Sequence, residues 1–126
     1  MNNTESEKVL YFATHASEDP ERAAMPFVMA NAALAMDIHA IVCLQGDGVH
    51  LAQKGYTEKI RQPGAFAPLP ELISTFIELG GKLLVCGPCL KERNIDENSD
   101  LIDGTEITAA GALNVLAIEC KAVFVY

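Results

Sequence analysis

Short runs of strand-forming apolar residues recur along this chain, and stretches with helical patterning lie between them. The runs are Lys8–Thr14, Ile38–Leu44, Leu83–Cys86 and Ala122–Tyr126, with a weaker one over 101–107 broken by Asp103-Gly104. Continuous rather than alternating hydrophobicity is the mark of strands covered on both faces. Strands alternating with helices predict βαβ units joined by right-handed crossovers. The expected fold class is therefore α/β: one compact domain with a mostly parallel sheet of about five strands and helices on both faces.

The punctuation agrees with this pattern. Asp19-Pro20-Glu21 has a capping acid, a proline for the first helical position and an acid for the first turn, ahead of an Ala- and Met-rich run to Met36. Pro26 is incompatible with an unperturbed helix, so the sequence predicts a kink there or a helix that begins near Met25. Gln45-Gly46-Asp47-Gly48 reads as a turn, 49–55 as one short helix and 56–67 as a loop. Leu69, Leu72, Ile73 and Phe76 share one helical face, with Gly80 placed to end the helix. Cys89–Asn94 is a helical turn or two. Thr108 is a candidate cap for a last helix carrying Leu113, Leu116, Ala117 and Cys120. Residues 1–7 are polar and expected to fray, leaving 8–126 as the domain.

Composition removes several functions. Of 126 residues, half are apolar and only 6% aromatic, with no Trp, so the core must be built from aliphatic side chains. The formal charge is −8, with nine basic residues against seventeen acidic ones. A protein that tracks phosphates needs a basic face, so nucleic acid is not an expected partner. No signal peptide is evident near the start, and the longest apolar stretches fall short of a membrane span. Four cysteines in a chain with this much core are not a secreted disulfide framework. A cytoplasmic, reducing environment is expected, with cysteines kept for chemistry or packing.

Cys86 and Cys89 stand apart because they fall where a strand hands over to a helix. In an open parallel sheet, ligands and chemistry collect at the carboxyl ends of the strands. The start of a helix offers unpaired amides and partial positive charge, both of which favour a thiolate. The position thus predicts a Cys86 sulfur open to solvent and held largely ionised at neutral pH. Lys91 and Arg93 add nearby charge, Gly87 permits a tight turn, and Pro88 suits the first turn of a helix.

Three readings compete: a carrier with one accessible sulfur, a disulfide oxidoreductase using both thiols, and two ordinary buried cysteines in a tight turn. Zinc is weaker, because one CxxC supplies two ligands and His15, His39 and His50 are scattered. No metal or other cofactor is expected. Cys86-Gly87-Pro88-Cys89 is identical to a well-known thioredoxin motif. Thioredoxin-like chains, however, carry it after an early strand and place a proline later, opposite the thiols. Here it comes late, and no proline follows Pro88.

The order of motifs along nearly the whole chain resembles the DsrE/DsrF-like family of small sulfur-relay proteins. The resemblance rests on Asp19-Pro20-Glu21-Arg22-Ala23 after the first strand and Gln45-Gly46-Asp47-Gly48-Val49 after the second. It extends to Gly80-Gly81-Lys82-Leu83, to Val85–Ile95 with its thiol pair, and to the closing helix and strand over 112–126. It implies a sulfur carrier or sulfurtransferase in which Cys86 bears sulfane sulfur as a persulfide; Cys89 is this chain's addition, expected to assist or resolve. It also implies donor and acceptor proteins or small thiols as partners, and assembly into trimers or hexamers. The alternatives are an oligomeric binding module with incidental thiols, and the oxidoreductase.

The remaining candidates have bland readings. Cys43 and Cys120 read as core residues. His15, at the same sheet edge as Cys86, would tune the thiolate or shuttle a proton if it reached it, but reads more simply as a solvated loop residue beside Glu18 and Asp19. Asp47 and His50 read as turn and cap residues. Gly46 and Gly48 lack the spacing of a phosphate-binding loop. Ala65, Phe66, Ala67 and Leu69 are candidates for an oligomer interface.

Overall fold

A computed structural model describes residues 7–126. The frayed tail expected over 1–7 lies outside the described residues except for Glu7, whose carbonyl accepts the His39 amide at 2.9 Å. The apolar runs become strands β1 (Lys8–Ala13), β2 (His39–Leu44) and β3 (Lys82–Cys86), followed by the shorter β4 (Thr105–Thr108) and β5 (Ala122–Val125). All pair in parallel, in the order β4-β3-β2-β1-β5. This is the expected α/β architecture. Its strands are joined through helices α1 (Pro20–Ala35), α2 (Leu69–Glu78), α3 (Gly87–Glu92) and α4 (Ala110–Glu119).

Parallel register divides the strand side chains between two faces. Tyr11, Ala13, Val42, Leu44, Leu83 and Val85 point to one side, where they join Ala23, Ala24, Phe27 and Ala30 of α1 and Leu69, Ile73 and Phe76 of α2. Alanines on α1 allow its axis close to the sheet. Phe27 and Phe76 meet edge to face, with ring centroids 5.5 Å apart. Each ring is fully buried, worth about 1.5–3 kcal/mol in transfer alone. The opposite face is smaller. Leu10, Ile41, Cys43 and Leu84 pack beneath Leu113 of α4.

α1 begins at Pro20 and continues through Pro26, so the helix does not start at Met25. Asp19 caps it, its side chain accepting the Arg22 amide at 3.1 Å. Pro26 forfeits one backbone bond, at a cost of about 3 kcal/mol. Its own burial, with that of its neighbours Ala23, Ala24 and Phe27, offsets this. The segment Gly46–Ala52 is a 3-10 helix rather than a helix from residue 49, and Thr57–Lys59 adds a short 3-10 turn within the expected loop. Residues 101–104 do not join β4. Leu101 makes a single bridge with Gln53, and Gly104 turns the chain at φ +91°. Thr108 ends β4, and the cap position of α4 is Ala109, which has no side-chain acceptor.

Candidate functional site

The carboxyl ends of β1, β2 and β3 form one edge of the sheet, and the segments leaving them meet there. Gly48 sets how closely they meet: a Cβ at this position would lie 2.0 Å from the Ala13 carbonyl oxygen, so only glycine lets the turn after β2 rest on the end of β1. Gly46 holds φ at +55°, which favours glycine and directs its amide towards the motif.

β3 ends at Cys86, which is the cap residue of α3, so the helix begins at Gly87 rather than Cys89. Pro88 falls in the first turn, where its missing N–H costs nothing. A Cβ on Gly87 would sit 3.1 Å from Ile107 Cγ2, so glycine lets α3 start against β4. The far end is fixed by Leu90 and Ile95, both buried. Asn94 at φ +56° turns the chain so that the Ile95 amide reaches the Leu90 carbonyl at 3.0 Å. The six-residue helix is therefore anchored at both ends.

Cys86 and Cys89 are both half-buried and unpaired. Their thiols lie within hydrogen-bonding reach of each other, and the Cys89 amide approaches the Cys86 sulfur without completing a capping bond. Burial pushes the Cys86 thiol up, and the Cys89 thiol adds to the effect. The Cys89 amide and the Arg93 charge pull it back without reversing it. This corrects the expectation of a sulfur largely ionised at neutral pH: the thiol is the favoured form. One amide at the start of a short helix does not offset partial loss of water around the sulfur.

Cys89 is held from outside its helix. Its Sγ accepts the Gly46 amide at 3.4 Å. Arg93 Nη1 donates to the Cys89 carbonyl at 3.1 Å, while its Nε and Nη2 donate to Asp47 Oδ1 at 3.2 and 3.0 Å. Asp47, read from sequence as turn chemistry, thus links the β2 turn to α3. Their pairing across 46 positions has no local sequence signature. Cys43 lies one strand over, fully buried, with its thiol pushed up to about 12 by burial and by the neighbouring Cys86 and Cys89. Cys120 ends α4, half-buried against the smaller core cluster.

His15 is not brought to the thiols. It leaves β1, two strands from β3 and so roughly 10 Å away across the sheet. Its Nδ1 lies 2.6 Å from Glu18 Oε2, and the Ala16 amide donates to Glu18 Oε1 at 2.7 Å. Slight burial raises the Glu18 pKa, but these hydrogen bonds, one from its own amide and the His15 charge together outweigh it and leave a net lowering. His50 stacks on Tyr56, centroids 5.2 Å apart, and the Tyr56 hydroxyl donates to Ser17 Oγ at 2.8 Å. The loop expected over 56–67 is pinned over this edge through Tyr56, which sequence reasoning did not single out.

A cleft of about 660 Å³ adjoins the motif on the β4 side, lined by Gly87, Pro88, Lys91, Glu97, Ile107, Thr108, Ala109 and Ala112. It touches the backbone of the motif but neither sulfur. Ile107 and Ala112 are far from the motif in sequence, and only the pairing of β4 with β3 reveals them. Among the described residues, no group of three or more His, Cys, Asp and Glu side chains is placed to hold a metal ion. No helix among them is long and apolar enough to cross a membrane.

Comparison with known proteins places this architecture. Residues 7–126 match the model of the DsrE/DsrF-like family, and the chain belongs to that family. Two similar proteins come from Methanocaldococcus jannaschii. The uncharacterized protein MJ0760 is 32% identical over 107 residues, which cover 85% of this chain and 38% of that protein. The uncharacterized protein MJ0989 is 34% identical over 100 residues, covering 79% of this chain and 82% of that one. The chain thus spans well under half of the first relative. The crystal structure of the Escherichia coli ychN protein shares the fold, with a TM-score of 0.79 at 20% identity, covering 95% of this chain and 99% of that one. MTH1491 from Methanobacterium thermoautotrophicum does so with a TM-score of 0.63 at 12% identity, covering the same 95% and 99%.

Proposed function

We propose that this chain is a sulfur-relay protein that carries sulfane sulfur as a persulfide on Cys86. One observation carries the reading: within a chain of the DsrE/DsrF-like family, a half-exposed thiol stands at the junction of β3 and α3, at the carboxyl edge of the sheet. A raised thiol pKa suits a carrier that stays quiet until a donor docks and completes its surroundings. The donor and acceptor are proteins or small thiols, and the cleft beside Gly87 and Pro88 offers them an apolar wall. A homo-oligomer, trimer or hexamer, is part of the same reading. It is supported by the apolar surface of α4, where Val115 is 60% and Ile118 84% exposed. Of the residues expected at an interface, Leu69 is buried in its own core, whereas Ala65 is exposed and Phe66 and Ala67 are half-buried. Cytoplasmic residence accords with four free thiols.

A second reading, thiol–disulfide oxidoreductase, is favoured by the contact between the two thiols. Incubating reduced protein with a persulfide donor, followed by intact and peptide mass spectrometry of wild type, Cys86→Ser and Cys89→Ser, separates the two. The carrier gains a sulfur atom on Cys86 and loses the adduct in Cys86→Ser. A Cys86–Cys89 disulfide with insulin-reducing activity and no sulfur adduct defeats the carrier in favour of the oxidoreductase. Inert thiols leave a binding module.

A further inference from the structure

The two thiols of the motif are set up unequally. Cys86 occupies the cap position and Cys89 the third helical position, the pair whose side chain and backbone face each other at a helix start. Two cysteines separated by two residues at a helix start have the spacing of the redox-active CxxC motifs, in which the two sulfurs can join. Cys89 is also fixed by contacts that Cys86 lacks: the Gly46 amide on its sulfur, and the Arg93 bond to its carbonyl, braced in turn on Asp47. Its thiol lies within hydrogen-bonding reach of the Cys86 sulfur, the atom that becomes the inner sulfur of a persulfide.

We infer that Cys89 unloads the carrier within the same chain, releasing the sulfane sulfur as hydrogen sulfide. The step rests on Cys86 being the persulfide carrier. Cys89, giving up its proton, attacks Cys86 Sγ. The Sγ–Sγ bond forms as the bond from Cys86 Sγ to the outer sulfur breaks, and that sulfur leaves with the electron pair as hydrosulfide. The proton released by Cys89 completes hydrogen sulfide. The sulfane sulfur is reduced by two electrons, and the two thiols are oxidised to a disulfide. The Gly46 amide is aimed at the sulfur whose charge changes during the attack, and it is already in place before the attack begins. A second cycle requires a dithiol reductant, protein or small molecule, to reopen the disulfide by exchange. Attack on the outer sulfur would only move the persulfide to Cys89; the contact between the two Sγ atoms favours the inner one.

The test is a single turnover. Wild type and Cys89→Ser, the latter checked for folding by far-UV circular dichroism, are loaded with a persulfide donor under anaerobic conditions. They are freed of donor by rapid gel filtration and then followed without reductant for sulfide and by peptide mapping. Wild type is expected to release a single equivalent of sulfide as the Cys86–Cys89 disulfide appears. Cys89→Ser is expected to keep its Cys86 persulfide about 100-fold longer or more, as befits loss of an internal nucleophile. A persulfide equally durable in both proteins overturns the inference, as does a persulfide found on Cys89. Absence of the Cys86 adduct at zero time in both proteins overturns the carrier reading, and this step with it. That failure is distinguishable because the other two both begin with a loaded Cys86.

Discussion

The two faces of the sheet are closed to different degrees. On one, α1 and α2 cover the strands, and aromatic rings, alanines and branched residues interlock down to nearly zero exposure. On the other, α4 alone lies over the sheet, and Leu113 is its one buried residue. The sequence of α4, Ala110–Glu119, is apolar almost all round, so one side has a partner in the chain and the rest meets solvent. Val123 and Val125 of β5, in register with Leu10 and Phe12, extend the same apolar surface. The lesson is that apolar residues are necessary for a core but do not locate it: α2, with a sharply one-sided pattern, docks where its pattern points, whereas α4 carries no such direction.

The comparison can be broken first by truncation. Phe27→Ala on the closed face should cost about 3–5 kcal/mol in denaturant unfolding, because neither Phe76 nor the sheet can collapse into the space. Leu113→Ala on the open face should cost about 2–3 kcal/mol, at the low end for a core leucine, because α4 can settle towards the sheet. Equal losses would mean that the faces do not differ in packing. Next is an alkaline titration. Cys43 belongs to the smaller cluster, and its folded pKa of about 12 lies above the roughly 8.5 of an unfolded thiol. The folded protein therefore holds the proton more tightly. Its contribution to stability is complete below about pH 8.5 and is lost as pH rises towards 12. Unfolding measured from pH 7 to 11 should show the decline in wild type and less of it in Cys43→Ala; parallel curves would show that the open face is wet at its centre.

Much of this arrangement could be read from the residues. The apolar runs and helix starts specify strands, order and cover, because local pattern and fold agree at Asp19, Pro20 and Gly80. The thiol pair was placed correctly at the end of β3, since a strand–glycine–proline junction is a local feature. What escaped was everything that depends on the folded approach of distant segments. Asp47 meeting Arg93, Tyr56 crossing to Ser17 and Ile107 lining the cleft are such cases. The direction of the Cys86 shift escaped for the same reason: helix-end charge is local, whereas burial is collective.

Smaller effects sharpen the contrast. Arg93→Gln removes a charge that pulls the Cys86 pKa down, so iodoacetamide should modify Cys86 about two- to fivefold more slowly at neutral pH. The pH profile should move to higher values, and an unmoved profile would show that Asp47 already cancels the guanidinium. Smallest for the fold itself is Ile118→Asp, at a site 84% exposed, where unfolding free energy should change by less than about 0.5 kcal/mol. The same substitution should lower the sedimentation coefficient if a second copy covers α4. A wild type that sediments as a monomer at micromolar concentration would leave that face bare.

The place of β5 has a consequence for how this sheet comes into being. β1, near the start of the chain, lies in the interior of the sheet, and its outer neighbour is formed by residues 122–125. Thr14 and Tyr126 join the ends of those two strands through a backbone and a side-chain bond. On the ribosome, β1 to β4 can pair in the order they emerge, but one flank of β1 stays unsatisfied until residues 122–125 have followed. Final closure is thus the most sequence-distant event in the fold, slow by topology, and it makes every nascent intermediate an open-edged sheet.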